Sequence, residues 1–244
     1  MKQGLILILI LSFGFQAFTQ IKPLEHVVKR VNSPVPVDAD WDKVVWKNIP
    51  PISLDHFMGE KPDHFPKVQV KMAYDNNFIY LIWKVDDQYV KAVADENQGP
   101  VFRDSCVEFF FTPANSLGPK YFNLEINCGG TMLFYHQDHR DQSGTRVPVS
   151  EKDMSEIKVA HSLPRMIPVE IKEKTTWYME YAIPFEILSN YYGLQAPKSG
   201  SIWKANFYKC ADGTSHPHWL TWSPVDFPKP NFHLPQYFGE LEFE

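Results

Sequence analysis

The sequence predicts an all-β protein: an antiparallel β-sandwich of the jelly-roll or immunoglobulin-like two-sheet kind, with one short helix. Three observations carry this expectation. Segments of period two, in which apolar and polar residues alternate, dominate the chain. Twenty Pro stand against twelve Gly, with 15% aromatic residues, a balance that suits short strands joined by proline-punctuated loops. At 44% hydrophobic, the 244 residues suffice for one sizeable core, and neither a repeat nor a low-complexity tract interrupts them.

In chain order, residues 1–19 have the form of a secretory signal peptide. Lys2 supplies a positive start, Leu5 to Leu11 is an unbroken apolar run, and Ala17-Phe18-Thr19 is a small-x-small cleavage pattern that leaves Gln20 at the new terminus. Leu5 to Phe15 gives about eleven mostly apolar residues where a membrane span needs roughly twenty, so the expectation is export to the periplasm or medium with no membrane span. Residues 20–36 then read as an N-terminal extension and 37–244 as one domain.

Within that domain Val68, Val70, Met72 and Tyr74 alternate with polar neighbours, Asp75-Asn76-Asn77 makes a turn, and Phe78 to Val85 returns as a second strand. Further strands are expected at Ser105 to Thr112, Tyr121 to Cys128, Thr131 to His136, Thr176 to Ile183, Ser201 to Cys210 and Gly239 to Phe243. Thr112-Pro113-Ala114-Asn115 and Cys128-Gly129-Gly130 supply turns. Helical spacing occurs at Pro184 to Tyr192, where proline can open a helix that Gly193 closes.

A formal charge of −5 lacks the basic field that phosphate backbones require, which argues against nucleic acid as a partner. Cys106, Cys128 and Cys210 are odd in number and far apart, so at most one disulfide can form. They read as small buried residues and lack the close spacing of a zinc or redox motif. His136-Gln137-Asp138-His139 and His216-Pro217-His218 have metal-compatible spacing but read as solvent-facing loop pairs. Neither GxSxG nor GxGxxG occurs.

The informative feature is the polar side of the central strands. Phe122, Leu124, Ile126 and Cys128 point one way, while Tyr121, Asn123, Glu125 and Asn127 point the other. Glu108, Tyr178, Glu180, Lys204, Asn206 and Tyr208 repeat the idea on neighbouring strands. Asn is a poor strand former, and Asn123, Asn127 and Asn206 within strand patterns call for a reason. Carboxylates, carboxamides and phenols beside aromatic rings suit a sugar, whose hydroxyls hydrogen-bond in pairs and whose C–H faces rest on rings. Glu108 and Glu125 also allow the acid and nucleophile of a glycosidase as an alternative.

Several segments together resemble the carbohydrate-binding module family 9-like proteins of the DOMON-like superfamily. They are Val37-Asp38-Ala39-Asp40-Trp41, Phe102-Arg103-Asp104-Ser105-Cys106-Val107-Glu108, Tyr121-Phe122-Asn123-Leu124-Glu125, Trp203-Lys204-Ala205-Asn206 and the C-terminal Trp222-Ser223-Pro224 with Phe238-Gly239. The resemblance implies an exported, non-catalytic sandwich that binds oligosaccharide or polysaccharide, such as the ends of cellulose or xylan chains, in company with secreted glycoside hydrolases. It places the family's strand glutamate on Glu108 and a stacking ring, commonly Trp, on Phe102. Trp222 is the expected second ring, with Trp219 and Phe232 as alternates. With the alternation, the expected carbohydrate-binding residues are Phe102, Glu108, Glu125, Asn127, Asn206 and Trp222. No cofactor is required, though the family includes members with structural calcium, for which Asp212-Gly213-Thr214 or Asp38 and Asp40 offer oxygens. DOMON-like relatives also include haem-binding electron-transfer domains, for which Met132, Met179 or His136 would be the ligands.

Overall fold

A computed structural model describes residues 23–113, 120–138, 145–192 and 194–244. The expected signal peptide, His139 and Gly193 lie outside the described residues. From the N-terminus run strand β1 (Glu25–Arg30), helix α1 (Val44–Lys47), the two-residue strands β2 (Ile52–Ser53) and β3 (His56–Phe57), and the hairpin β4 (Lys67–Tyr74) and β5 (Phe78–Asp87). Next come β6 (Val90–Ala92), a 3-10 turn at Val101–Arg103, β7 (Cys106–Pro113), β8 (Lys120–Asn127), β9 (Met132–Asp138) and β10 (Thr145–Pro148). Helix α2 (Glu151–Ser155), β11 (Lys158–His161), β12 (Ile167–Ile171), β13 (Thr175–Pro184) and helix α3 (Phe185–Tyr192) follow. The chain closes with β14 (Ile202–Cys210), β15 (Trp219–Thr221), a 3-10 turn at Pro235–Tyr237 and β16 (Gly239–Phe243). The expected helix is α3, and among the described residues two single-turn helices, α1 and α2, accompany it.

The strands form two layers in the orders β10-β9-β8-β7-β14-β16 and β4-β5-β13-β11. Apolar residues at alternate positions make the two inner faces: Val70, Met72, Leu81, Trp83 and Met179 on one, Phe109, Phe111, Leu124, Ile126 and Phe207 on the other. Trp83 and Phe207 meet edge to face across the interior at 5.8 Å. Met132 and Met179, two of the three haem-ligand candidates, are part of this packing.

Residues 20–36, expected as an extension, contribute a strand that joins the layers. Glu25 to Val28 of β1 pair in parallel with β16, and Lys29 and Arg30 pair in parallel with β4. The rest of the ladders are antiparallel. Asp75 fixes the β4–β5 register, accepting from the backbone amides of Asn77 and Phe78 at 2.7 and 2.8 Å.

Both outer faces are partly covered. Over the β4–β5–β13 layer lies the strap that holds Val37 to Trp41, anchored on buried Glu180. That carboxylate accepts from the amides of Asp38 and Ala39 at 2.8 and 2.7 Å and from Trp46 Nε1 at 2.8 Å. The strap's Asp38 and Asp40 accept from the amides of Asp40 and Asp42, and Asp38 also ion-pairs with Lys43. The motif's two carboxylates thus hold the strap's own backbone and its Lys43 in place.

Candidate functional site

The outer face of β7, β8, β9 and β14 carries the polar residues that the alternation marked. Tyr208, Glu108, Glu125 and Leu133 stand opposite one another in register across the four strands, and Asn206, Phe110, Asn123 and Tyr135 form the next row. The C-terminal segment folds back over part of this face, with Phe232 stacked on Tyr208 at 4.1 Å and Phe238 set edge-on to Tyr121. What it leaves uncovered is a cleft of about 340 Å³.

Rings stand around the cleft and acids lie on its floor. Phe102, Tyr135, Trp219, Phe232 and His233 line it with Asn231. Phe102 is 36% exposed, and its place is set by the 3-10 turn that leads into β7. Trp219 is steadied by Nε1 donating to Asp212 Oδ1 at 2.8 Å. On the floor, Gln137 Nε2 donates to Asn123 Oδ1 at 2.7 Å and Asn123 Nδ2 donates to Glu125 Oε1 at 2.9 Å, a relay that crosses from β9 to β8. Glu125 Oε2 is buried with no hydrogen-bond partner among the described residues. Beside it, Glu108 Oε1 accepts from Cys210 Sγ at 2.9 Å.

Burial governs the electrostatics. Glu108 and Glu125 are 2% and 5% exposed. Desolvation, reinforced by the neighbouring acids Cys210 and Glu125, holds the Glu108 carboxyl well above the usual carboxylate range. Desolvation pushes Glu125 up to about 7, against the lowering effect of the Asn123 hydrogen bond and the Arg146 charge. Asp212 is raised by burial as well. Arg146, which lines the cleft and sits 5.3 Å from the centre of the Tyr135 ring, is a cation facing Glu125, while Arg103 and Lys209 face Asp212. Such a floor has hydrogen-bond acceptors in its carboxyl and carboxamide oxygens and donors in Arg146 and the Gln137 amide, with flat apolar rings above them.

The sequence profile described as Carbohydrate-binding family 9 matches residues 36–243. The chain belongs to this family. A structure described as a carbohydrate-binding protein, from Bacteroides uniformis ATCC 8492, is 30% identical with a TM-score of 0.82; the alignment covers 91% of this chain and 100% of that one. A carbohydrate binding module family 9 from Caldicellulosiruptor kristjanssonii shares the fold at 15% identity in two complexes. With glucose the TM-score is 0.57 and coverage 91% of this chain and 96% of that one, and with cellotriose it is 0.59 with 91% and 94%. No curated protein sequence matches the chain.

Of the family 9 residues expected from the sequence, the structure brings Phe102, Glu108 and Glu125 together at the cleft. It sets three elsewhere. Asn127 lies on the correct face, but beyond the cleft it closes the turn after β8: its Oδ1 accepts from the amides of Gly129 and Thr131, and its Nδ2 donates to Asp104 at 2.8 Å. Asn206 is locked to Ser223, accepting from its amide at 2.8 Å and donating to its carbonyl at 3.0 Å. Trp222 packs in the interior against Phe207 and does not line the cleft, whereas the alternates Trp219 and Phe232 do. Tyr135, Gln137 and Arg146 were missed. The first two follow from the same alternation in β9, where Leu133, Tyr135 and Gln137 oppose Met132, Phe134 and His136.

Proposed function

We propose that this family 9 protein is a non-catalytic sugar binder and that its ligand, an oligosaccharide or the end of a polysaccharide chain, lies in the cleft between Phe102, Trp219 and the C-terminal segment. The observation that carries this reading is the floor itself. A relay of carboxamides leads to Glu125, and one of that residue's oxygens is buried without a partner, beneath aromatic rings that remain partly open. Burying an acceptor in this way costs about 1–3 kcal/mol unless a ligand satisfies it. A sugar hydroxyl supplies the missing donor, and its C–H face covers the rings. Glucose and cellotriose bound by the related module make β-glucans the first ligands to test.

Glu108 and Glu125 are direct cross-strand partners and lie side by side on one floor. That spacing alone is compatible with a glycosidase pair, so release of reducing sugar is the measurement that separates the two readings. The leader residues Lys2, Leu5 to Leu11 and Ala17-Phe18-Thr19 support a working place outside the cytoplasm, where polysaccharide and the hydrolases that degrade it are found.

Calorimetric titration with glucose, cello-oligosaccharides and xylo-oligosaccharides tests the assignment. Binding by at least one series, weakened by Glu125→Gln, is expected. Silence across a broad glycan panel, or reducing sugar released in proportion to enzyme concentration and abolished by that substitution, would overturn the reading.

A further inference from the structure

At and behind the cleft floor, Cys106, Cys210 and Glu108 form a buried cluster of metal-ligating groups. Cys106 of β7 and Cys210 of β14 are direct cross-strand partners, and Glu108 lies two residues along β7 on the same face. The two sulfurs and a Glu108 carboxylate oxygen all lie within 4.8 Å of one another, and all three residues are buried. Tetrahedral zinc, with bonds of about 2.3 Å to sulfur and about 2.0 Å to carboxylate oxygen, holds its ligands roughly 3.5–3.8 Å apart. The cluster therefore closes on an ion with small side-chain adjustments. We propose that Cys106, Cys210 and Glu108 form a zinc site at the base of the cleft, with the fourth coordination position open to solvent.

The donor set selects the metal. Two thiolates favour zinc or copper(I), and a carboxylate as third ligand favours zinc over copper(I). Glu108 and Cys210 line the cleft, so an ion has a route in from solvent, while Cys106 sits fully buried behind them. A water entering from the cleft can complete the tetrahedron. Binding forms two Zn–S bonds and one Zn–O bond, releases the two thiol protons and any proton on Glu108 to solvent, and transfers no electrons. The ligands come from separate strands, which is why no Cys-x-x-Cys spacing announces the site. Cys128 packs in the main interior, apart from the cluster, and serves as an internal control.

The test uses the purified protein after reduction, with three thiols per chain confirmed by titration. Cobalt(II) should bind at one ion per chain with a thiolate-to-cobalt charge-transfer band and the visible bands of tetrahedral cobalt, and zinc should displace it. Cys106→Ser and Cys210→Ser should each halve the charge-transfer intensity and weaken zinc binding about tenfold or more, while Cys128→Ser leaves both unchanged. Glu108→Gln should keep the charge-transfer band and lose affinity. The absence of that band from the reduced wild-type protein overturns the proposal without recourse to any variant. So does a band that survives both cluster cysteine substitutions in protein whose circular dichroism is unchanged. Metal loading is read without sugar and sugar affinity in chelated protein, so failure of either reading is distinguishable from failure of the other.

Discussion

Trp219 and Trp222 stand three residues apart, one at the cleft and the other inside the sandwich. Trp222 packs so closely on Gly239 that a Cβ at that glycine would come within 2.7 Å of the indole. Trp219 is half-buried and held at the rim by Asp212. Removing each ring should therefore have opposite signatures. Trp222→Ala opens an interior cavity and should cost on the order of 3–5 kcal/mol of stability. Trp219→Ala and Phe102→Ala should leave the melting temperature nearly unchanged and weaken sugar binding about tenfold, since a ring contact contributes on the order of 1 kcal/mol beyond its area. Thermal melts and calorimetry on the three variants check this, and a Trp219→Ala protein that loses stability but keeps affinity would refute the placement. Sequence alone could not separate the two indoles, because Trp222 lies one residue beyond the end of β15, where strict alternation no longer dictates which side a residue faces.

At the scale of the element, alternation read the strands well and failed where a strand face changes its role along its length. In β14, Trp203, Ala205 and Phe207 face the interior as expected, yet Lys209 follows on that side and is fully buried. Its ammonium lies 3.4 Å from Asp87 Oδ2 at the end of β5 and 2.8 Å from His218 Nε2, and His64 Nε2 contacts Asp87 Oδ1 at 2.7 Å. This buried network replaces apolar packing at one end of the sandwich, and composition gives no hint of it. Burial, with the Lys209 charge, pulls the His218 pKa down to about 3 although Asp87 opposes the shift. The unfolded chain then holds a proton on this histidine that the folded chain excludes between about pH 6.5 and 3, so His218 removes stability as pH falls through that window. His26 and His136, each lowered to about 4 by burial, act in the same direction. The raised carboxyls Glu108 and Glu125 act in the opposite direction: their stabilisation is present at low pH and is lost as pH rises through the folded pKa, about 7 for Glu125. The informative quantity is thus a difference between proteins. Between pH 7 and 5, denaturant-derived stability of wild type minus that of His218→Gln should decline with falling pH, by up to about 1.4 kcal/mol per unit. A difference independent of pH would show that His218 is not buried in its neutral form.

For the whole molecule, the decisive element is the one the sequence did not mark as part of the domain. Val27 and His26 spoil a simple alternation in β1, and the strand is parallel to both neighbours, so neither a hairpin turn nor a clean amphipathic pattern signals it. Yet β1 closes the gap between β16 and β4. Beyond its ladder pairs, the amide of Glu240 donates to Leu24 O at 2.8 Å, the amide of Glu244 to Val28 O at 3.2 Å and the amide of Val31 to Tyr74 O at 2.8 Å. Val28 is buried among residues from both layers. A chain begun at Pro34 would leave two strands with bare edges facing each other and an opening into the shared interior, which invites strand pairing between molecules. Because the layers share one apolar cluster, that loss should be felt throughout. The chain begun at Gln20 should unfold in a single cooperative transition, and the chain begun at Pro34 should melt many degrees lower or associate into larger species on size exclusion. If the shorter chain melts within roughly 2 °C of the longer one and remains monodisperse, β1 contributes little to the sandwich and residues 20–33 are an extension after all.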